Sequence, residues 1–169
     1  MKHLLAAIAL TLASVTSVTA GELLEAYNEV ASLPKMQSMD KEKAFDVFDG
    51  WFGALVFKEA EITCFTGERG NAETTVYGGK IIEAVSKLPD DELVLSGRNA
   101  QSLIYIYAHK LSADTYETLI FIDLAYQGQT VAIIGKMDSQ LVDALRDGKV
   151  VMDARNHSIT VDAPVLRCD

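Results

Sequence analysis

Histidine, cysteine, tryptophan and proline are all scarce in this chain, at 3, 2, 1 and 3 of 169 residues. Each scarcity removes a class of chemistry. Beyond His3 the only imidazoles are His109 and His157. His109 closes an apolar strand pattern and His157 falls in a turn, which reads as surface or hydrogen-bonded histidine and not as a catalytic set. A zinc site needs three or four converging Cys, His or carboxylate ligands, and no such cluster stands at ligand spacing. Nucleophile elbows of the Gly-x-Ser-x-Gly type are missing too, because Leu95-Ser96-Gly97 lacks the first glycine. Tyr77-Gly78-Gly79-Lys80 fails as a phosphate loop: Thr74 stands where the first glycine belongs, and Ile81 where Ser or Thr is required. Alternating Asp/Asn calcium loops are absent. No cofactor and no metal are implied.

Positive charge is also in short supply. Fifteen Lys and Arg face 24 Asp and Glu, giving a formal net charge of −9. Such a field repels phosphate backbones, and the one basic cluster, Lys41-Glu42-Lys43, is diluted by its own Glu and by Asp40. Nucleic acid is therefore excluded as a partner. Carboxylate pairs such as Asp90 with Asp91, or Asp46 with Asp49, could do acid–base work, but 24 acidic residues produce such pairs by composition alone.

Uninterrupted apolar runs are short. The longest spans Leu4 to Val15, broken only by Thr11 and Ser14, after the charged Met1-Lys2-His3 and before Val18-Thr19-Ala20. That order is a signal peptide with a small-residue cleavage site, well below the ~20 apolar residues of a membrane span. No transmembrane segment is expected. Gly21 and Glu22 stand where a lipid-anchored export signal carries cysteine, so the product is expected to be exported without a lipid anchor. Cleavage after Ala20 leaves 149 residues, one domain over 21–169, with the tail 148–169 an added hairpin.

Two cysteines in an exported chain invite pairing, and Cys64 and Cys168 are the disulfide candidates. A bridge closing a loop of that length contributes up to ~4.7 kcal/mol in the chain-entropy model. The alternative is a strand-buried Cys64 with a frayed terminal Cys168. Neither has a neighbouring His or a Cys-x-x-Cys partner, which argues against a catalytic thiol.

What the chain has in plenty is apolar periodicity. Leu23, Leu24, Tyr27, Val30 and Ala31 share a helical face, ended before Pro34. A second helix is predicted from an Asp40 N-cap through Ala44, Phe45, Phe48, Phe52 and Leu55. Gly50 and Gly53 weaken its later half, leaving Trp51 and Phe52 as candidates for an interaction surface. Residues 60–65 alternate as a strand, and a helix through Val76, Ile81, Ile82, Val85 and Leu88 follows. Strands are predicted at 92–95, 102–109, 117–126 and 129–137, the last two joined tightly at Tyr126-Gln127-Gly128-Gln129. Both faces of the long strands are apolar, so the strands are central and covered twice or keep one face for a partner. Ser139 to Arg146 is a short helix. The class is α+β: an antiparallel sheet of four to six strands with helices packed mainly on one face.

Leu119-Ile120-Phe121-Ile122-Asp123 followed by Thr130-Val131-Ala132-Ile133-Ile134-Gly135-Lys136-Met137-Asp138, behind a signal peptide and an opening helix, resembles short exported Bacteroidetes proteins grouped as a domain of unknown function. The similarity spans residues 23–145. In that family an apolar strand stands where this chain reads Pro-Lys-Met-Gln-Ser-Met at 34–39. The resemblance implies a Gram-negative envelope address, periplasmic or otherwise envelope-associated, and assigns no activity. Taken together, the expectation is a non-enzymatic binding or interaction module meeting a protein or small ligand. The alternatives are a small carboxylate-dependent, glycosidase-like hydrolase of the envelope and an assembly subunit that pairs through an uncovered strand edge.

Overall fold

The computed structural model describes residues 21–41, 43, 44, 57–153 and 158–161. Helix α1 (Gly21–Ala31) leads into strand β1 (Gln37–Met39) and then β2 (Phe57–Thr66). Helix α2 (Ala72–Val85) and a 3₁₀ turn (Asp90–Glu92) follow. The chain then runs through β3 (Leu93–Arg98), β4 (Ser102–Lys110), β5 (Thr115–Leu124) and β6 (Gln129–Asp138) into helix α3 (Ser139–Arg146). Strands β7 (Val150–Asp153) and β8 (Ser158–Val161) form the tail hairpin, a separate two-stranded sheet.

Six strands make one antiparallel sheet in the order β1-β2-β6-β5-β4-β3. The meander β3 to β6 follows from short connections between apolar strands. The β5–β6 turn depends on Gly128, whose φ of 73° suits no β-carbon, and a Cβ there would meet the Glu68 carbonyl oxygen at 2.4 Å. That crowding arises because the loop before α2 is bound to the turn: Gly67 N–H donates to Gly128 C=O at 2.8 Å.

Strand alternation divides the apolar residues between two cores, one on each face of the sheet. On the first face α1 contributes Leu23, Tyr27 and Val30, and α2 contributes Ile81, Ala84 and Val85, against Leu103, Tyr107, Leu119, Phe121, Ala132 and Ile134. On the second, Val142 and Leu145 of α3 join Ala44, Ile106, Ile120, Ile122, Ile133 and Met137. Two of the three helices thus share one face, and the doubly apolar strands are central and covered on both.

Sequence and structure differ in detail. Leu24 and Val76 are 42% and 58% exposed, and Ala26 and Tyr77 take the inward positions. Glu92 belongs to the 3₁₀ turn, not to a strand, and Tyr126 lies in the turn after β5. Residues 34–39 do yield a strand, but only three residues of it, paired on the edge of β2. Asp40 caps as expected, its Oδ1 accepting from Lys43 N–H at 2.8 Å. The rest of that predicted helix, with Trp51 and Phe52, lies outside the described residues.

Candidate functional site

Directly paired residues of neighbouring strands project on the same face. Glu59 pairs with Lys136, Lys136 with Glu117, and Glu117 with His109. Glu92, one residue before β3, closes the row, its Oε1 standing 2.5 Å from His109 Nδ1. At the rim of the first face the sheet therefore carries five side chains in which acids alternate with Lys136 and His109: Glu59, Lys136, Glu117, His109 and Glu92. Lys136 Nζ reaches Glu59 Oε2 at 2.6 Å in the open. The other end is enclosed, with the His109 and Glu92 side chains only 23% and 11% exposed.

A carboxylate can only accept, so in the Glu92–His109 contact Nδ1–H donates to Oε1. Glu92 Oε2 and Glu117 Oε2 are both buried without a hydrogen-bond partner. Desolvation pushes the Glu117 carboxyl up from its ordinary value, while neighbouring His109 pulls it down, Glu92 pushes it up and Lys136 pulls it down. The His109 imidazole is set between two carboxylates, Glu92 and Glu117. Acyl-transfer chemistry would need a hydroxyl or thiol on His109, and none hydrogen-bonds to it among the described residues. Nor, among them, is any group of three or more His, Cys, Asp or Glu side chains placed to hold a metal ion.

Six residues further along β5 a second acid is sealed in. Asp123 is 4% exposed and its Oδ1 accepts from Thr130 Oγ1 at 2.7 Å. Burial drives its pKa up to about 6, with the threonine hydrogen bond pulling the other way. Gly78 of α2 explains how a carboxylate fits under a helix: a Cβ there would stand 2.8 Å from Asp123 Oδ2. The rejected phosphate loop is thus a mid-helix gap that admits Asp123.

Cys64 lies in the second core, bridged to no cysteine among the described residues, and burial pushes the pKa of its thiol up, away from the reactive thiolate. Cys168 lies outside the described residues, as does His157. Asp90 and Asp91 are exposed at the 3₁₀ turn. An open groove of about 230 Å³ runs between α1 and α2, lined by Glu22, Glu25, Glu29, Lys87 and Leu88, and a Lys87–Glu29 ion pair spans it.

The row also bears on the sheet edge. Glu92 fastens the start of β3 to β4, and among the described residues no strand pairs with the outer side of β3. In an antiparallel pair every second residue turns its N–H and C=O away from the neighbour, so β3 presents free backbone groups there.

Fold and site define an α+β protein on a six-stranded antiparallel sheet, with an ionic row at one rim and an open edge beside it. No family model, no curated protein and no solved structure matches the chain. Neither the row nor Asp123 was named from sequence. The register carries the signal: the loop 125–128 sets Leu124 opposite Gln129 and Asp123 opposite Thr130, one step from the turn expected at Tyr126–Gln129, and the loop 111–115 sets His109 opposite Glu117.

Proposed function

We propose that this chain is an exported interaction module of a Gram-negative envelope, non-enzymatic, cleaved after Ala20 and free of a lipid anchor. Its partner adds to the outer edge of β3. The observation that carries this reading is the contrast between two covered sheet faces and the outer side of β3, with which no strand pairs among the described residues. The resemblance to exported Bacteroidetes proteins supports the address. No helix among the described residues is long and apolar enough to cross a membrane. A Cys64–Cys168 bridge belongs to the same proposal, and mass spectrometry with and without reductant reads it directly.

The test is capture from envelope extract by the protein and by a Ser96→Pro variant, which blocks pairing at the edge. Capture by the parent and its loss in a variant of unchanged circular dichroism supports the module. Turnover of a glycan or ester panel, abolished by Glu92→Gln or Glu117→Gln, replaces it with the hydrolase reading.

A further inference from the structure

The two edges of the sheet are built differently. On one side β1 is three residues long, with Pro34 and Lys35 shortly before it and Asp40 and Lys41 directly after, a blunted edge of the kind that resists pairing. On the other, β3 has a register irregularity between Leu93 and Leu95, but Leu95–Arg98 pairs regularly with β4 and contains neither proline nor lysine. Leu95 and Gly97 pair with Ile106 and Ile104 and so face the α3 side, while Ser96 and Arg98 pair with Tyr105 and Leu103 and face the side of α1 and α2.

Charge is distributed along this edge with opposite signs at its two ends. Asp90 and Asp91 are exposed just before β3, and Arg98 is exposed at its last residue. A partner strand that carries the same pattern in reverse complements it at both ends, and β3 itself, rotated about a two-fold axis, is such a strand.

We propose that β3 pairs antiparallel with β3 of a second copy of this chain, joining two six-stranded sheets into one. The proposal rests on the reading of the β3 edge as the interaction surface, and names its occupant. A two-fold axis through Ser96 sets Leu95 opposite Gly97 of the partner copy, so like faces stay on like sides and the helix layers of both copies continue across the junction. The same operation sets Arg98 of each copy opposite Val94 of the other, at the end of the junction where the 3₁₀ turn carries Asp91 and Asp90. A parallel arrangement would oppose Arg98 to Arg98 and is disfavoured. The net charge of −9 repels at long range. At physiological ionic strength the screening length is about 8 Å, so that repulsion is damped while contacts at the junction persist.

Sedimentation velocity of the protein purified from envelope, across a wide concentration range at physiological salt, reads the equilibrium. A monomer–dimer exchange is expected. Arg98→Glu places like charges at both ends and is expected to weaken the dimer about tenfold or more. Asp90→Arg with Asp91→Arg does the same from the other side. Mixing the two variants restores complementarity at both junction ends, so mixed dimers form where neither variant pairs alone. Should one variant fail to fold, the other still answers the question, since either must shift the equilibrium. A single monomeric species at all concentrations overturns the self-pairing, as does a dimer that both charge reversals leave intact. Monomer combined with Ser96-dependent capture of an envelope component removes the second copy and leaves the interaction module standing; loss of both removes both.

Discussion

Strand β5 carries an acid at each end of the same face, Glu117 near its start and Asp123 near its finish, with Leu119 and Phe121 between them. The two are treated in opposite ways. Asp123 is sealed beneath α2 with one neutral partner, the Thr130 hydroxyl, and desolvation carries its pKa to about 6. Glu117 stands at the rim among charges, where His109 and Lys136 offset part of the desolvation and of the Glu92 repulsion. A hydroxyl satisfies an oxygen without cancelling a charge, so a buried acid with only that partner keeps its proton to higher pH than an exposed one.

Removing the wall between the two acids is the most severe way to break this contrast. Phe121 is fully buried, and Phe121→Ala is expected to cost about 3–5 kcal/mol in urea unfolding through the cavity it leaves. Asp123→Asn acts next, in the stabilising direction. Because the folded-state value of about 6 exceeds the unfolded 3.8, the contribution of Asp123 is fully present below 3.8 and lost as pH rises through about 6. The variant should be more stable than the parent by roughly 3 kcal/mol at pH 8 and indistinguishable below pH ~4, removing that slope from a pH series of unfolding curves. His109→Ala takes away the hydrogen bond of Glu92 Oε1 beside the already unpaired, buried Oε2, at an expected cost of about 1–3 kcal/mol, largely recovered by adding Glu92→Met. The smallest change is Lys136→Met, which breaks an ion pair held in the open and should leave the denaturation midpoint within its scatter.

Most of the architecture was legible from residue pattern. Ser139–Arg146 was bounded to the residue, because Asp138 caps one end and Gly148, at φ 67°, follows the other. The long strands were placed to within two residues by their β-branched runs and turns. The site was not legible for a different reason. Glu92, His109 and Glu117 are each ordinary in sequence and become a set only through the β4–β5 register and the 3₁₀ turn. The pattern predicts Glu92 in a strand, whereas the 3₁₀ turn brings its carboxylate to His109. The inward turn of Tyr77 was missed because Val76 is the more apolar neighbour, although Tyr77 meets Phe65 edge-on with ring centroids 5.2 Å apart and its hydroxyl donates to the Pro34 carbonyl.

The strand order β2-β6 joins an early part of the chain to a late one. On a ribosome or at an export pore, residues 57–66 emerge long before the lane they occupy exists, because that lane is the flank of 129–138. The β3-to-β6 meander can zip up locally, whereas docking β2 must await it and close a loop of some seventy residues, an ordering that slows assembly. Until β2 docks, β6 is itself an unfilled edge open to another strand.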